Sequence, residues 1–260
     1  MKLLRKGLLL TALLASGVSS ISARAQGWDA IVGGGVRTLP WGAGISGNLG
    51  YNLMWWGDHK PGEFFYGYLR PYVRVQTSGL VNRFEGGIEA FPLSFLGVQF
   101  GGAAAHRSVN LGTLDCDTTE CRGWLRRNLV STKLLLAYDR WILVPFIRIE
   151  GLKPQFKTRA FGDENTNLRG HLSGDTLIGS SWTAGYRVSP VYLAGFFLDT
   201  ARMIKDGSNN LYGIGFARAT WGPSTWTFGA GWYRSTFQKP AFTASLVFER
   251  SFFASSLALK

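Results

Sequence analysis

Phe64-Phe65-Tyr66-Gly67-Tyr68-Leu69-Arg70-Pro71-Tyr72-Val73-Arg74-Val75-Gln76 alternates with a period of two. Phe65, Leu69, Val73 and Val75 fall on one face, and Tyr66, Tyr68, Arg70, Tyr72, Arg74 and Gln76 on the other. That period belongs to an extended strand, whose successive side chains point to opposite sides. One side is greasy and the other cationic and phenolic, so the strand divides an apolar medium from a wet one. Pro71 cannot donate to a ladder, and an interruption or bulge is expected beside it.

The same alternation recurs along the chain. Segments 28–37, 43–56, 80–91, 95–108, 124–138, 141–152, 176–188, 191–202, 211–221, 225–235 and 242–253 repeat it, each closed by a turn signal. Together with 64–76 they make twelve strands; ten would require that 28–56 contribute none, which its patterning opposes. No run after Gly27 is long and apolar enough to cross a membrane as a helix. In a bilayer only a closed antiparallel barrel satisfies every backbone hydrogen bond of a sheet. The fold class is therefore all-β, a single closed transmembrane barrel over 26–260. A water-soluble β-sandwich also alternates, but it does not need aromatic residues at both ends of its outward faces.

The N-terminus reads as an export address. Lys2, Arg5 and Lys6 precede a short apolar stretch over 7–18, and Ala23-Arg24-Ala25 offers an A-x-A cleavage pattern. A signal peptide over 1–25 is expected. Its removal takes the 28 basic residues to 24 against 16 acidic, a net +8. No basic run or recognition helix accompanies that charge, so nucleic acid is not an expected partner; membrane lipids, lipopolysaccharide phosphates and small anionic solutes are. Cys116 and Cys121 are the only cysteines. An oxidising compartment bridges such a pair into a loop staple.

These features resemble the bacterial outer-membrane β-barrel class over the whole mature chain. The resemblance rests on the signal peptide, the alternation, aromatic ends such as Trp55, Trp141 and Trp226, and the aromatic-rich final strand from Phe242 to Phe253. It implies residence in the bacterial outer membrane, short periplasmic turns and longer outer loops. Turns at Pro92, Asp139-Arg140, Ser189-Pro190 and Gly222-Pro223 then fall on the periplasmic side, and the cysteine loop and the polar stretch 153–175 outside. The class ordinarily ends on an aromatic residue, whereas this chain continues to Lys260.

Inward faces collect ten bases: Arg37, Arg70, Arg74, Arg83, Arg107, Arg127, Lys133, Arg148, Arg187 and Arg218. They collect six acids: Asp29, Glu85, Glu89, Glu150, Asp199 and Glu249. A positive surplus in a low-dielectric tube concentrates anions. Twelve tilted strands close at a backbone radius of about 12 Å, which long side chains narrow. The pattern resembles the arginine-lined lumen of small porins for acidic oligosaccharides. The expected function is an anion-preferring pore for passive passage of small solutes. Alternatively, Arg70, Arg74, Arg83 and Arg148 pair with Glu85, Glu89 and Glu150 and fill a closed barrel, which would serve as a scaffold for other envelope proteins.

A third reading is enzymatic. His106 and Ser108 share an outward face near the outer rim, and Asn128 has the same parity on the next strand. A serine activated by an oriented histidine performs acyl transfer. The pair resembles the lipid-facing His-x-Ser of outer-membrane phospholipase A and the lipid A deacylases, which follow the serine with asparagine where this chain has Val109. No phosphate loop, paired acid-base carboxylates or metal-ligand spacing is present, so no cofactor or metal is expected.

Overall fold

The computed structural model describes residues 27–40, 42–57, 65–108, 114–156 and 158–252. The expected signal peptide, Val109, Phe253 and the tail beyond it lie outside them.

Twelve strands form the wall: β1 (Gly27–Arg37), β2 (Gly42–Trp56), β3 (Gly67–Thr77), β4 (Val81–Leu93), β5 (Leu96–Arg107), β6 (Gly123–Leu134), β7 (Trp141–Pro154), β8 (Asp175–Arg187), β9 (Tyr192–Met203), β10 (Asn209–Trp221), β11 (Ser224–Ser235) and β12 (Gln238–Phe252). A short segment, Leu136–Tyr138, carries β6 on past a break at Leu135. Each strand pairs antiparallel with its sequence neighbours. The ring closes between β1 and β12, from Ala30↔Phe252 to Arg37↔Ser245.

Pro71 acts as its missing N–H requires. The β2–β3 ladder has a gap between the pairs Gly50↔Tyr72 and Leu53↔Leu69 without change of register, while the β4 side runs unbroken through Pro71↔Ile88. Pro92 corrects the sequence reading. It stands inside β4, where the ladder is irregular between Ala90 and Leu93, and the turn follows at Ser94-Phe95.

The wall is inverted relative to a water-soluble protein. Phe84, Phe100, Val130, Ile147, Phe196 and Phe228 point outward and are exposed, whereas the Arg127 side chain on the inner face is 1% exposed. Such an exterior is stable in hydrocarbon and not in water. Aromatic pairs girdle the end with the short turns: Trp28–Tyr51 and Trp141–Tyr186 with ring centroids 5.0 Å apart, and Trp226–Phe248 at 4.7 Å. His106–Trp124 at 4.9 Å and Trp232–Phe242 at 6.0 Å mark the other end. The two longest connections, 108–122 and 155–174, also lie at that second end, which is the outer one by the loop-length rule.

Tight curvature uses inward glycines. A Cβ on Gly87 would lie 2.2 Å from the Phe100 carbonyl oxygen, and one on Gly195 2.2 Å from that of Ala184.

Candidate functional site in the barrel interior

Strand parity places Arg70, Arg74, Arg83, Glu85, Glu89, Arg107, Arg127, Lys133, Arg148, Glu150, Arg187 and Arg218 on inward positions, and most are buried or half-buried. Two clusters line the β1–β6 side. Register sets Arg70 opposite Glu89 and Arg74 opposite Glu85. Arg70 binds both oxygens of Asp29 and donates to Glu89 at 3.2 Å and to Asn48 at 3.2 Å. Asn52 donates to the same Asp29 at 2.8 Å. Higher in the wall Glu85 accepts from Arg74 at 3.3 Å, from the Tyr72 hydroxyl at 3.0 Å and from Arg83 and Gln99. Ser131 continues the network by donating to Gln99 at 3.1 Å. On the far side Arg148 lies 3.7 Å from Glu150, and Arg218 3.9 Å from Glu249.

The connection 155–174 departs from its expected place outside. Its middle folds into the outer half of the barrel, where Phe161 and Leu168 are 0% exposed and Asp163, Glu164, Thr166 and Asn167 are buried. Phe161 and Leu168 join Leu125, Leu152, Leu177, Ala201 and Met203 of the wall in one apolar cluster. The hairpin is tight: Asp163 N–H donates to Leu168 at 2.8 Å, and Asn167 takes a left-handed φ of 52°, which asparagine tolerates. Buried main chain must find partners. Here the Thr166 carbonyl accepts from Asn210 at 2.9 Å and Tyr233 at 3.3 Å, and Gly162 accepts from Arg107. The segment thus spans from β5 across to β11.

Arg127 is the charge that holds it. Its guanidinium donates to Glu150 at 2.9 Å and also binds Asp163 and Glu164 of the inserted segment. Burial pushes the Asp163 carboxyl upward, but Arg127 and the two hydrogen bonds from Thr166, at 2.9 and 2.6 Å, outweigh it and bring its pKa to about 2. Asp163 and Glu164 were not foreseen as interior groups, and they offset part of the positive surplus counted on the strands. The signal for them was two apolar residues, Phe161 and Leu168, flanking a polar run in a segment otherwise readable as a surface loop.

The cysteine loop braces the insert from above. Cys116 and Cys121 form a disulfide around Thr119–Glu120, which pairs parallel with Ala160 and Phe161; Arg169–Gly170 completes a small sheet. Asp175 ties the insert's far end to the next outer loop, accepting from the backbone N–H of His171, Lys205 and Asp206.

At the periplasmic end Tyr66, Tyr68 and Phe91 stack, with Tyr68 and Phe91 centroids 4.3 Å apart, and Lys133 Nζ lies 4.8 Å from the Phe91 centroid.

The enzymatic constellation is not assembled. His106 opposes Trp124, whereas Asn128 opposes Gly102, four residues further down the strand and about 13 Å away along it. The Ser108 hydroxyl donates to the Leu80 carbonyl at 2.7 Å, a rim hydrogen bond.

Comparison with protein families finds no match, and comparison with curated protein sequences finds none. Among solved structures the chain is similar to the NanC porin, at 10% identity and a TM-score of 0.45 over 86% of this chain and 98% of that one. It is similar to the KdgM porin in complex with disordered oligogalacturonate, at 11% identity and a TM-score of 0.42 over 86% and 99%. An outer membrane channel from Pseudomonas putida F1 aligns at 9% identity and a TM-score of 0.48 over 88% and 97%. At that distance the likeness assigns no activity. The closed ring, the inverted wall and the girdles themselves define the class: this is a bacterial outer-membrane β-barrel.

Proposed function

We infer that the barrel is a narrow outer-membrane channel for small anionic solutes, constricted by the inserted residues 160–170. The observation that carries this reading is the set of interior cations that have no acidic partner. Among the described residues Arg37, Arg107, Lys133 and Arg187 have no ion-pair partner, against Asp175 and Asp199 for the acids. Arg37, Arg107 and Asp175 are occupied by backbone groups, Arg37 donating to the Pro40 carbonyl at 2.9 Å, which leaves Lys133 and Arg187 facing the lumen against Asp199. Unpaired cations in a confined path attract anions and raise their local concentration.

Reversal potentials across planar bilayers in a salt gradient test the reading. Anion preference is expected, and Lys133→Gln with Arg187→Gln is expected to reduce it. Cation preference, or a selectivity that the double variant leaves unchanged, overturns it.

The near-complete burial of Phe161, Asp163, Glu164 and Leu168 favours a second reading, a sealed barrel that serves as a scaffold. A protein that inserts but stays silent in the bilayer decides for that one.

A further inference from the structure

The lipid-facing surface carries a charge pair that the channel does not use. Register sets Arg126 on β6 directly opposite Lys153 on β7. Both have outward parity and both are exposed. Like charges directly opposite on one face of a sheet repel each other. The outward positions of β5, β6, β7 and β8 include no Asp or Glu, and neither cation has an ion-pair partner among the described residues. The strands around them thus supply no counter-charge among the described residues.

The rows above and below indicate the form a counter-charge would take. Nearest the membrane centre, Phe100, Val130 and Ile149 stand side by side as an exposed apolar row. Two residues higher, about 7 Å along the strands, the row is Gly102, Asn128 and Gly151. A Cβ added at Gly151 would meet nothing within 4 Å, so this row is a shallow recess with one amide beside it. Another step brings Ala104, Arg126 and Lys153, and above Arg126 sits Trp124 with its ring against His106. The order apolar, hydrogen-bonding recess, cation pair, aromatic rim matches an amphiphile with acyl chains, a sugar and a phosphate.

We propose that Arg126 and Lys153, with Asn128 beneath them, form a binding site for the phosphorylated sugar headgroup of an outer-leaflet glycolipid of the lipid A type. Two cations converging on one phosphate replace their mutual repulsion with charge-assisted hydrogen bonds. The site is independent of the channel reading, because no residue in it faces the lumen.

The test uses protein purified from membranes in detergent and stripped of lipid. Binding and the folded-to-unfolded midpoint are measured with bisphosphorylated lipid A, with dephosphorylated lipid A and with inorganic phosphate. Wild-type protein is expected to bind the bisphosphorylated form about tenfold more tightly than the dephosphorylated one, the gain of a charge-assisted contact. Inorganic phosphate alone is expected to leave the midpoint unchanged. Arg126→Gln with Lys153→Gln should bring bisphosphorylated binding down to the dephosphorylated level and leave dephosphorylated binding as it was. Without lipid the variant should unfold no earlier than wild type, since it loses a repulsion. Equal binding of the two lipids by wild-type protein overturns the proposal, a comparison that needs no variant to fold. A full midpoint shift with inorganic phosphate, or a double variant that keeps the preference, overturns it as well.

Discussion

Replacing Arg127 with methionine removes the one cation shared by Glu150, Asp163 and Glu164. The Arg127 side chain is 1% exposed, Glu150 4%, Asp163 0% and Glu164 1%; without it Asp163 keeps only its Thr166 hydrogen bonds, Glu150 keeps only Arg148 at 3.7 Å, and Glu164 loses its ion-pair partner, all three away from water. Breaking a buried pair by deleting one member costs about 3–5 kcal/mol, chiefly as uncompensated buried charge. Glu150 stands on the wall, but Asp163 and Glu164 belong to a segment that can leave. The cost therefore falls on the inserted state, and it shifts the balance between inserted and released segment by about two to more than three orders of magnitude at 1.4 kcal/mol per tenfold. Two assays read the result. Hydrogen exchange of 160–170 should lose protection while the wall keeps its own, and single-channel conductance should rise if the segment is the constriction. Combining Arg127→Met with Glu150→Gln, Asp163→Asn and Glu164→Gln should restore protection, because neutral groups of the same shape carry no stranded charge. Unchanged exchange in Arg127→Met would refute the assignment of Arg127 as the anchor. Restored exchange with unchanged conductance throughout would refute the segment as the constriction.

Acid should release the same segment. With the Asp163 pKa lowered to about 2, against about 4 for an unfolded aspartate, its contribution is complete above pH ~4 and lost as pH falls towards 2; exchange or protease protection of 160–170 over that range checks it. Thiol labelling on intact cells should find Cys116 and Cys121 unreactive until a reductant is added, and their replacement by serine should loosen the outer loop with little effect on barrel melting, since so short a closure constrains the unfolded chain weakly. Gly195→Ala should destabilise the barrel by about 1–3 kcal/mol of strain and lower its unfolding midpoint, because the added methyl meets the Ala184 carbonyl and the Gly185 Cα, backbone atoms that cannot swing aside, as well as the Phe216 ring; an unchanged midpoint in thermal gel-shift assays would count against the curvature argument. Purified protein should release no fatty acid from phospholipid or lipid A, and Ser108→Ala should behave like wild type.

The wall was legible because lipid and lumen impose one period on every strand, so that Val73 against Arg74 and Val130 against Ser131 report their surroundings directly. Ring order followed from turn spacing. Pro92 misled because a proline signals a turn only where its missing N–H would have been needed, and β4 tolerates it beside an irregular ladder. The insert was hidden for a different reason. Whether a polar loop stays in water or turns inward depends on what the far wall offers it, and Asn210, Tyr233 and Arg107 come from strands far from it in sequence. Likewise the distance between Asn128 and Ser108 depended on register, which parity alone leaves open. Pairing of Arg70 with Asp29 required knowing that three strands curve towards one another, and alternation carries no such information.

The seam between β1 and β12 sets the order of events during assembly. Thr38 and Ala244, joined across it, are 206 positions apart, whereas every other junction in the wall links neighbours in sequence. Hairpins zip within microseconds once their residues are present, but a junction between the first strand and the last waits for the whole chain. Until then both flanking strands present unpaired edges, the form of a sheet most exposed to aggregation. Maturation of this protein therefore passes through an open sheet with two live edges, and a factor that shields either edge until the twelfth strand arrives would act at the step where the chain is most vulnerable.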